Sequence, residues 1–235
     1  MDIKNAVAFV SGANRGLGLE LVKALLAGGA AKVYAGVREL GSIDLPGVIP
    51  VKFDVTNPAD IEAAATLCAD TTLLINNAGI ARMVGFLAAD SVEVTREIFE
   101  ANVYGPLRAS KAFAPVLGRN GGGAIVNVLS VASWTNSGMM GPYAMSKAAA
   151  WSLTNGLRND LSAQGTQVLG AHMGFMDTDM TSGFDVSKVS PQEVARQILD
   201  GVRSGAKEVL ADEITRKVQA GLSGQPAIYL APLQR

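Results

Sequence analysis

Tyr143 and Lys147 stand four positions apart in a segment that reads Pro-Tyr-Ala-Met-Ser-Lys. On a helix, that spacing places a phenol and an ammonium group on one face. A free phenol has a pKa of about 10 and exchanges its proton poorly near neutral pH, but a neighbouring cation stabilises the phenolate and lowers that pKa. The pair is therefore a candidate acid-base catalyst. The spacing alone is weak support, because a surface tyrosine that shields a lysine stem also produces it.

A glycine-rich turn near the N-terminus gives the first corroboration. Residues 11–18 read SGANRGLG and follow an apolar run at 6–10, and leucines then recur with helical spacing. This order predicts strand, turn and helix, in which Gly12, Gly16 and Gly18 let the backbone approach a pyrophosphate at the helix N-terminus. The turn lacks the Gly-Lys-Ser/Thr ending of a nucleotide-triphosphate loop, which disfavours phosphoryl transfer.

Composition indicates a single-domain enzyme over residues 1–235. The chain is 49% hydrophobic and 17% charged, which allows a large buried core. A net charge of −1 without a basic run indicates neither a nucleic-acid nor a membrane partner. The start of the chain shows no charged leader, and no apolar stretch is long enough for a bilayer, so we expect a cytoplasmic protein. One cysteine, Cys68, and one histidine, His172, predict no disulfide framework and no metal site, and we interpret both as packing residues.

Short β-rich runs alternate with helical patterns along the chain. Several runs are apolar without alternation, which indicates strands buried on both faces, as in a parallel sheet covered by helices. The predicted fold is therefore α/β, a Rossmann-type doubly wound parallel sheet of about seven strands. Ser190 and Glu193 predict a helix start with a capping box, and a further helix is expected over 212–222. The predicted strands are 6–10, 32–37, 48–53, 72–76, 124–129, 168–173 and 208–210.

Polar residues follow the predicted strands, at the sheet edge where α/β proteins bind ligands. Asp54 follows the third strand, residues 76–79 (NNAG) close the fourth, and Ser130 follows the fifth. Asn102 lies in the segment ANVYG between them. Each residue alone has a simple structural explanation, since asparagine and glycine form turns and serine caps helices. Together, in this order, they favour a shared site.

With these residues assembled, the chain resembles the short-chain dehydrogenase/reductase family over nearly its whole length. The resemblance implies a catalytic tetrad of Asn102, Ser130, Tyr143 and Lys147. The chain departs from the family pattern where Met173-Gly174 replaces Pro-Gly, and the atypical tail at 212–235 lacks a glycine-rich ending. The residues assigned to the cofactor, from this resemblance and from the charge argument below, are Gly12, Asn14, Arg15, Gly16, Leu17, Gly18, Arg38, Asp54, Val55, Asn77, Ala78, Gly79, Tyr143, Lys147, Gly174, Met176 and Thr178.

The tetrad matches what carbonyl reduction requires. Hydride transfer from a dihydronicotinamide builds negative charge on the carbonyl oxygen, and Ser130 and Tyr143 are the expected donors to it. Tyr143 then delivers its proton as general acid, while Lys147 keeps the phenol pKa in range and holds the nicotinamide ribose. The resemblance implies that Asn102 anchors a water linking Lys147 to solvent.

Charge at the end of the second predicted strand favours NADP(H) over NAD(H). Arg38 stands there without an aspartate, and Arg15 is expected to project from the glycine turn toward the same region. Two arginines suit the 2′-phosphate of NADP, whereas the free ribose diol of NAD prefers a carboxylate.

The expected substrate is a hydrophobic or aromatic ketone or aldehyde. The candidate pocket is largely apolar and rich in methionine, which adapts to irregular ligands, and a substrate loop is expected over about 174–189. Asp177 and Asp179 near the entrance would discourage anionic substrates. The candidate pocket residues are Trp134, Met139, Met140, Phe175, Met180 and Phe184.

Two alternatives stay open. The same tetrad would serve an alcohol dehydrogenase acting oxidatively, although an NADP preference favours reduction. A non-catalytic NADP-sensing regulator could keep the fold, but it would not need the complete tetrad. The absence of a Gly-x-Ser-x-Gly elbow disfavours a hydrolase.

Apolar residues on the helices at 102–117 and 143–163 suggest a homodimer or homotetramer, although internal packing explains the same pattern.

Overall fold

The computed structural model describes residues 1–230, and seven strands form one sheet within that range. Every neighbouring pair of strands is parallel. The strands are β1 (Val7–Ser11), β2 (Lys32–Val37), β3 (Val48–Lys52), β4 (Leu73–Asn76), β5 (Ala124–Val128), β6 (Gln167–His172) and β7 (Glu208–Leu210). Their spatial order is β3-β2-β1-β4-β5-β6-β7, so the order reverses between β1 and β4. This confirms the Rossmann-type doubly wound sheet, whose reversal point is the expected ligand crevice.

Helices connect the strands and cover both faces of the sheet. They are α1 (Gly16–Ala27), α2 (Pro58–Leu67), α3 (Ser91–Phe99), α4 (Gly105–Arg119), α5 (Gly141–Asp160), α6 (Pro191–Ser204) and α7 (Glu213–Gly221). A π-helical segment, Glu100–Tyr104, joins α3 to α4, and short 3-10 turns occur at Leu40–Ser42, Val131–Ser133, Asp179–Thr181 and Ile228–Leu230. Within residues 1–230, no helix combines the length and the apolar character needed to cross a bilayer.

The core lies in two layers, one on each face of the sheet. Alternation along β1 sends Ala8 and Val10 toward the layer that includes α1 and α6, and Phe9 toward the opposite layer. Phe9 is fully buried, with its ring centroid 4.9 Å from that of Phe53 and 5.0 Å from that of Phe113. Burial of each such side chain contributes about 1.5–3 kcal/mol. The central strand is therefore held from both sides.

A buried amide network fixes α5 against the middle of the sheet. Asn76 Nδ2 donates to Asn127 Oδ1 at 2.8 Å and to Ser110 Oγ at 3.1 Å. Asn127 Nδ2 in turn donates to Thr154 Oγ1 at 2.9 Å. These four side chains come from β4, β5, α4 and α5, and all are buried. Since an unpaired buried polar group costs about 1–3 kcal/mol, the network holds α5 at one position.

The ends of the C-terminal helices differ in detail from their sequence predictions. Ser190 Oγ accepts from Glu193 N at 3.1 Å, as expected for a helix cap. The second half of the predicted capping box is wrong, because the Glu193 carboxylate pairs with Arg196 instead. Asp212 caps α7 rather than belonging to it, with Oδ1 accepting from Thr215 N at 2.8 Å. The predicted tail at 212–235 is described only to 230, and its last five residues lie outside the described range.

Candidate active site

Tyr143 and Lys147 lie in the first two turns of α5. Pro142 stands in the first turn, where its missing N–H costs no helical hydrogen bond. Lys147 Nζ is 5.7 Å from the centroid of the Tyr143 ring, so the two groups share a helix face. Lys147 is buried, and Nζ donates to the carbonyl of Val128 at 2.8 Å. The end of β5 therefore fixes the direction of the ammonium.

The electrostatics of the pair differ from the sequence expectation. Burial raises the pKa of the Tyr143 phenol, and the Ser130 hydroxyl lowers it in part. Burial lowers the pKa of the Lys147 ammonium to about 8. The expectation that Lys147 lowers the phenol pKa is wrong for the protein alone, because Ser130 is the group that opposes burial here. Tyr143 is consequently protonated at neutral pH, as a proton donor must be.

Ser130 is held rigidly in an extended conformation (φ −157°, ψ 160°) just after β5. Its Oγ accepts from Ala132 N at 3.1 Å, and its carbonyl accepts from Ser133 N at 2.9 Å. The next residue, Val131, donates its N–H to the Met173 carbonyl at 2.8 Å. Because Oγ already accepts a hydrogen bond, the hydroxyl proton is left for donation toward the cleft.

Asn102 is buried in the π-helical segment and bridges two parts of the site. Its Oδ1 accepts from Ile80 N at 2.8 Å, and its Nδ2 donates to Ile80 O at 2.9 Å and to Ser146 Oγ at 3.1 Å. Ser146 Oγ donates to the Tyr143 carbonyl at 2.7 Å. The amide thus joins the loop after β4 to the catalytic helix, and its role in holding a water stays a prediction. π-helical segments of this kind often occur at functional sites.

The glycine turn after β1 forms a cradle without side chains. Gly12 (φ 65°) and Gly16 (φ 53°) adopt the left-handed conformation that favours glycine. A Cβ on Gly18 would stand 2.1 Å from the Gly12 carbonyl oxygen, so that position also requires glycine. Asn77 Nδ2 braces the turn by donating to Ser11 O at 2.9 Å and Gly12 O at 3.2 Å. Backbone amides at the start of α1 are left facing the crevice, which fits the pyrophosphate of a dinucleotide.

Asp54 lies at the end of the crevice assigned to adenine. Its Oδ1 accepts from both Thr56 N (2.9 Å) and Thr56 Oγ1 (2.7 Å). Burial alone would raise the pKa of this carboxyl, but the Thr56 hydrogen bonds and the charges of Arg38 and Lys52 lower it below its usual value. Val55 packs against the start of α4, where a Cβ on Gly105 would approach it to 2.9 Å.

The two arginines assigned to the NADP phosphate have different neighbours. Arg15 Nη1 is 3.6 Å from Asp179 Oδ2, and both side chains are well exposed. Arg38 lies close enough to Asp54 to lower the pKa of that carboxyl. The convergence of Arg15 and Arg38 on one phosphate stays a prediction.

The segment after β6 folds over the glycine turn. The Thr178 methyl group would lie 3.4 Å from a Cβ on Gly16, so Thr178 borders the cofactor cradle. Gly174 N donates to Asp212 Oδ2 at 2.6 Å, which fixes the base of this loop to the start of α7. The Met176 carbonyl accepts from the Thr181 hydroxyl.

The predicted pocket residues fall into separate groups. The rings of Phe175 and Phe184 pack at 5.0 Å in the substrate loop. Met139 and Met180 are more than half exposed, and Met140 directly precedes α5.

Trp134 is stacked on His172 at 4.1 Å and lies edge-on to Trp151 at 6.0 Å. With Ser133, Trp151, Leu222 and Tyr229 it lines a cavity of about 370 Å³ that includes no member of the tetrad.

Sequence reasoning missed two residues beside the site. The Phe86 ring lies against the start of α5, where a Cβ on Gly141 would come within 2.8 Å of it. Asp212 was treated as the start of an atypical tail, yet its carboxylate holds Gly174. The apolar Phe-Leu pair at 86–87 in a loop was the one signal available for Phe86, and no local pattern marks Asp212.

Comparisons with known proteins agree with this fold. The family model for short chain dehydrogenases matches residues 6–187. The chain is 30% identical over 200 residues to the short chain dehydrogenase tazN of Aspergillus terreus, covering 78% of this chain and 44% of that protein. It is 29% identical over 194 residues to the 3-oxoacyl-[acyl-carrier-protein] reductase FabG of Vibrio cholerae, covering 79% of each.

Among solved structures, a short chain dehydrogenase from Burkholderia cenocepacia in complex with NADP superposes with a TM-score of 0.95. It is 38% identical and the match covers 100% of both chains. A doubly wound parallel sheet with a glycine turn after its first strand is an architecture that binds dinucleotides. The chain belongs to the short-chain dehydrogenase family.

Proposed function

We propose that the protein is an NADP(H)-dependent carbonyl reductase that converts a hydrophobic ketone or aldehyde to an alcohol. The observation that carries the proposal is the position of Tyr143, a phenol protonated at neutral pH, beside the Ser130 hydroxyl and on one helix face with Lys147. This arrangement supplies two hydroxyl donors at one place, which is what a developing alkoxide needs.

The glycine cradle fits the proposed cofactor. Gly12, Gly16 and Gly18 leave room for a pyrophosphate, and Thr178 borders the cradle at Gly16. NADPH, when bound, supplies the hydride that reduces the carbonyl carbon. A relative that binds NADP at 38% identity supports this choice of cofactor.

The chain's own residues handle the carbonyl oxygen and its proton. Ser130 donates its free hydroxyl proton as a hydrogen bond to that oxygen. Tyr143 transfers its proton to the same oxygen, which completes the alcohol and leaves a phenolate. Because the pKa of Lys147 is about 8, its ammonium can return a proton to Tyr143 near neutral pH. Lys147 then regains a proton from solvent.

Charge supports the proposed preferences for cofactor and substrate. Arg38 directly follows β2 with no aspartate at the strand end, which suits a 2′-phosphate. Asp177 and Asp179 are exposed on the substrate loop and oppose the approach of an anion. A neutral ketone is thus preferred to a phosphorylated or acyl-carrier substrate, although the Vibrio cholerae relative is named as a 3-oxoacyl-carrier reductase.

The test is a panel of neutral aromatic and aliphatic ketones, assayed by loss of NADPH absorbance. We expect turnover of neutral ketones to exceed that of 3-oxoacyl thioesters, and NADPH to have a lower KM than NADH. Faster turnover of the thioesters, or a lower KM for NADH, would reject the corresponding preference. Assays with NADP and the matching alcohols compare the oxidative direction with the reductive one.

The decisive variant is Tyr143→Phe. Loss of the general acid should lower kcat by at least about a hundredfold, with cofactor affinity unchanged. Tyr104→Phe is the matched control, because Tyr104 is exposed outside the site. Substantial reductase activity in the Tyr143→Phe variant would refute the assignment of Tyr143 as the general acid. If the native chain binds NADPH but turns over no carbonyl or alcohol, the sensing alternative is favoured.

We further propose that the protein is cytoplasmic and forms a homodimer or homotetramer. Tyr104 and Leu107 near the start of α4 and Met145 on α5 are exposed, and both helices also contribute to the core layer that contains Phe9. Size-exclusion chromatography with light scattering gives the mass of the particle, and a monomer would reject the assembly.

A further inference from the structure

His172 is a fully buried titratable residue that the proposed mechanism does not use. It lies at the end of β6, and its Nδ1 is 3.3 Å from the Ser130 carbonyl oxygen. The Trp134 indole stacks on its ring at a centroid distance of 4.1 Å and an angle of 16°. Its Nε2 is 3.9 Å from Glu208 Oε1 and has no hydrogen-bond partner among residues 1–230. The imidazole therefore contacts the tetrad through Nδ1, at the Ser130 carbonyl.

The surroundings decide which nitrogen carries the proton. If Nε2 carried it, the Nδ1 lone pair would face the Ser130 carbonyl oxygen, another acceptor, at hydrogen-bond distance. If Nδ1 carries it, that contact becomes a hydrogen bond, and Nε2 faces the more distant Glu208 carboxylate. Glu208 Oε1 already accepts from Trp151 Nε1 at 3.4 Å. The Nδ1–H form is thus the one that matches the contacts.

The ring also remains neutral over the ordinary working range. Burial lowers the pKa of His172 to about 4, opposed by the Ser130 carbonyl and by Glu208. The positive charges of Lys147 and Arg158 lower it further. The ring therefore carries a single proton near neutral pH, and the tautomer decides whether that proton faces Ser130.

We propose that His172 is a positioning residue for Ser130, with its Nδ1–H holding the Ser130 carbonyl and the stacked Trp134 holding the imidazole. This rests on the proposed function, in which Ser130 donates to the substrate oxygen. The peptide between Ser130 and Val131 is then held at both of its polar groups. Its carbonyl accepts from His172 Nδ1 and Ser133 N, and its N–H donates to the Met173 carbonyl. Rotation of that peptide would move the hydroxyl away from Tyr143, and misplacement by about 1 Å can cost about a hundredfold in rate.

The first test uses the native protein and no activity assay. His172 is the one histidine in the chain, so ¹⁵N-histidine labelling gives an imidazole spectrum that needs no assignment. We expect the Nδ1–H tautomer at pH 7, with no protonation of the ring down to about pH 5. An Nε2–H tautomer at pH 7 would overturn the proposal.

The second test separates positioning from structural support. His172→Leu removes the donor, and we expect kcat for ketone reduction to fall tenfold to a hundredfold with the KM for NADPH unchanged. His172→Asn presents an amide N–H in place of Nδ1–H, and kcat should recover by at least half of that loss on a logarithmic scale. Equal kcat in native and His172→Leu enzymes at equal folded fraction would refute the proposal.

Folding of the variants is monitored at the same site. Trp134 and Trp151 are the two tryptophans of the chain, so intrinsic fluorescence reports directly on the packing around His172. If both variants fail to fold, the imidazole spectrum of the native protein decides the question. If the native protein reduces no carbonyl, the proposed function fails while the same spectrum still shows whether His172 holds Ser130.

Discussion

Replacement of Gly18 by alanine tests the cofactor cradle most directly. The added Cβ would stand 2.1 Å from the Gly12 carbonyl oxygen and 2.6 Å from Asn77 Nδ2, well inside van der Waals contact. The shifts in structure that relieve this clash lower the free energy of unfolding by about 1–3 kcal/mol. Displacement of Asn77 also breaks its hydrogen bonds to Ser11 and Gly12, at about 1–3 kcal/mol for a buried group left unpaired. The helix propensity of alanine returns about 1 kcal/mol.

We therefore expect Gly18→Ala to lower the free energy of unfolding by about 3 kcal/mol, within a range of about 1–5. Since the cradle itself must shift, NADPH affinity should fall at least tenfold. Urea denaturation measures the first effect, and isothermal titration with NADPH measures the second. Gly156→Ala is a matched control, because Gly156 also lies within a helix and has nothing within 4 Å of its Cβ position. That control should gain up to about 1 kcal/mol, and a Gly18→Ala protein that behaves like it would refute the packing argument.

Three further predictions concern charge. The buried Lys147 has a pKa of about 8, below its unfolded value, so the unfolded state binds more protons between pH 8 and about 10.5. The free energy of unfolding should therefore rise over that range. Urea denaturation of Lys147→Met should show a smaller rise. Arg38→Ala should raise the KM for NADPH about tenfold and leave that for NADH unchanged, and equal shifts would contradict the phosphate assignment. Asp212→Ala should lower the free energy of unfolding by about 1–3 kcal/mol and raise the KM for NADPH. Asp212→Ser keeps the cap on Thr215 but loses the hydrogen bond to Gly174. A serine variant with the native KM would therefore exclude a role for that hydrogen bond.

The sequence predicted the sheet well because the relevant signals are local. Each strand is a short apolar run bounded by turn or polar residues, so the predicted limits of β2 and β7 match those observed and the others differ by one residue. Parallel strands also end at one sheet edge, and Ser130 and Asn77 do lie there after β5 and β4. These inferences required only periodicity and the geometry of a doubly wound sheet.

What the sequence did not predict depends on contacts between distant segments. The direction of Lys147 depends on the Val128 carbonyl, which lies on another element. The anchoring of Gly174 depends on Asp212, 38 residues later, and no periodic pattern links them. The orientation of the Trp134 ring depends on stacking against His172 at the end of β6. Side-chain partners of this kind follow from the tertiary structure and leave no local trace.

The amide network through Asn76, Asn127 and Thr154 constrains how such an enzyme can diversify. Sliding α5 by one turn, or rotating it, would break the hydrogen bond from Asn127 to Thr154 and leave the buried Asn127 amide without that partner, at about 1–3 kcal/mol. An apolar contact tolerates gradual adjustment, whereas a donor-acceptor match is either kept or lost. Substitutions in the exposed loops can therefore change substrate specificity while α5 holds Tyr143 at the same position. The catalytic chemistry is then retained as specificity changes.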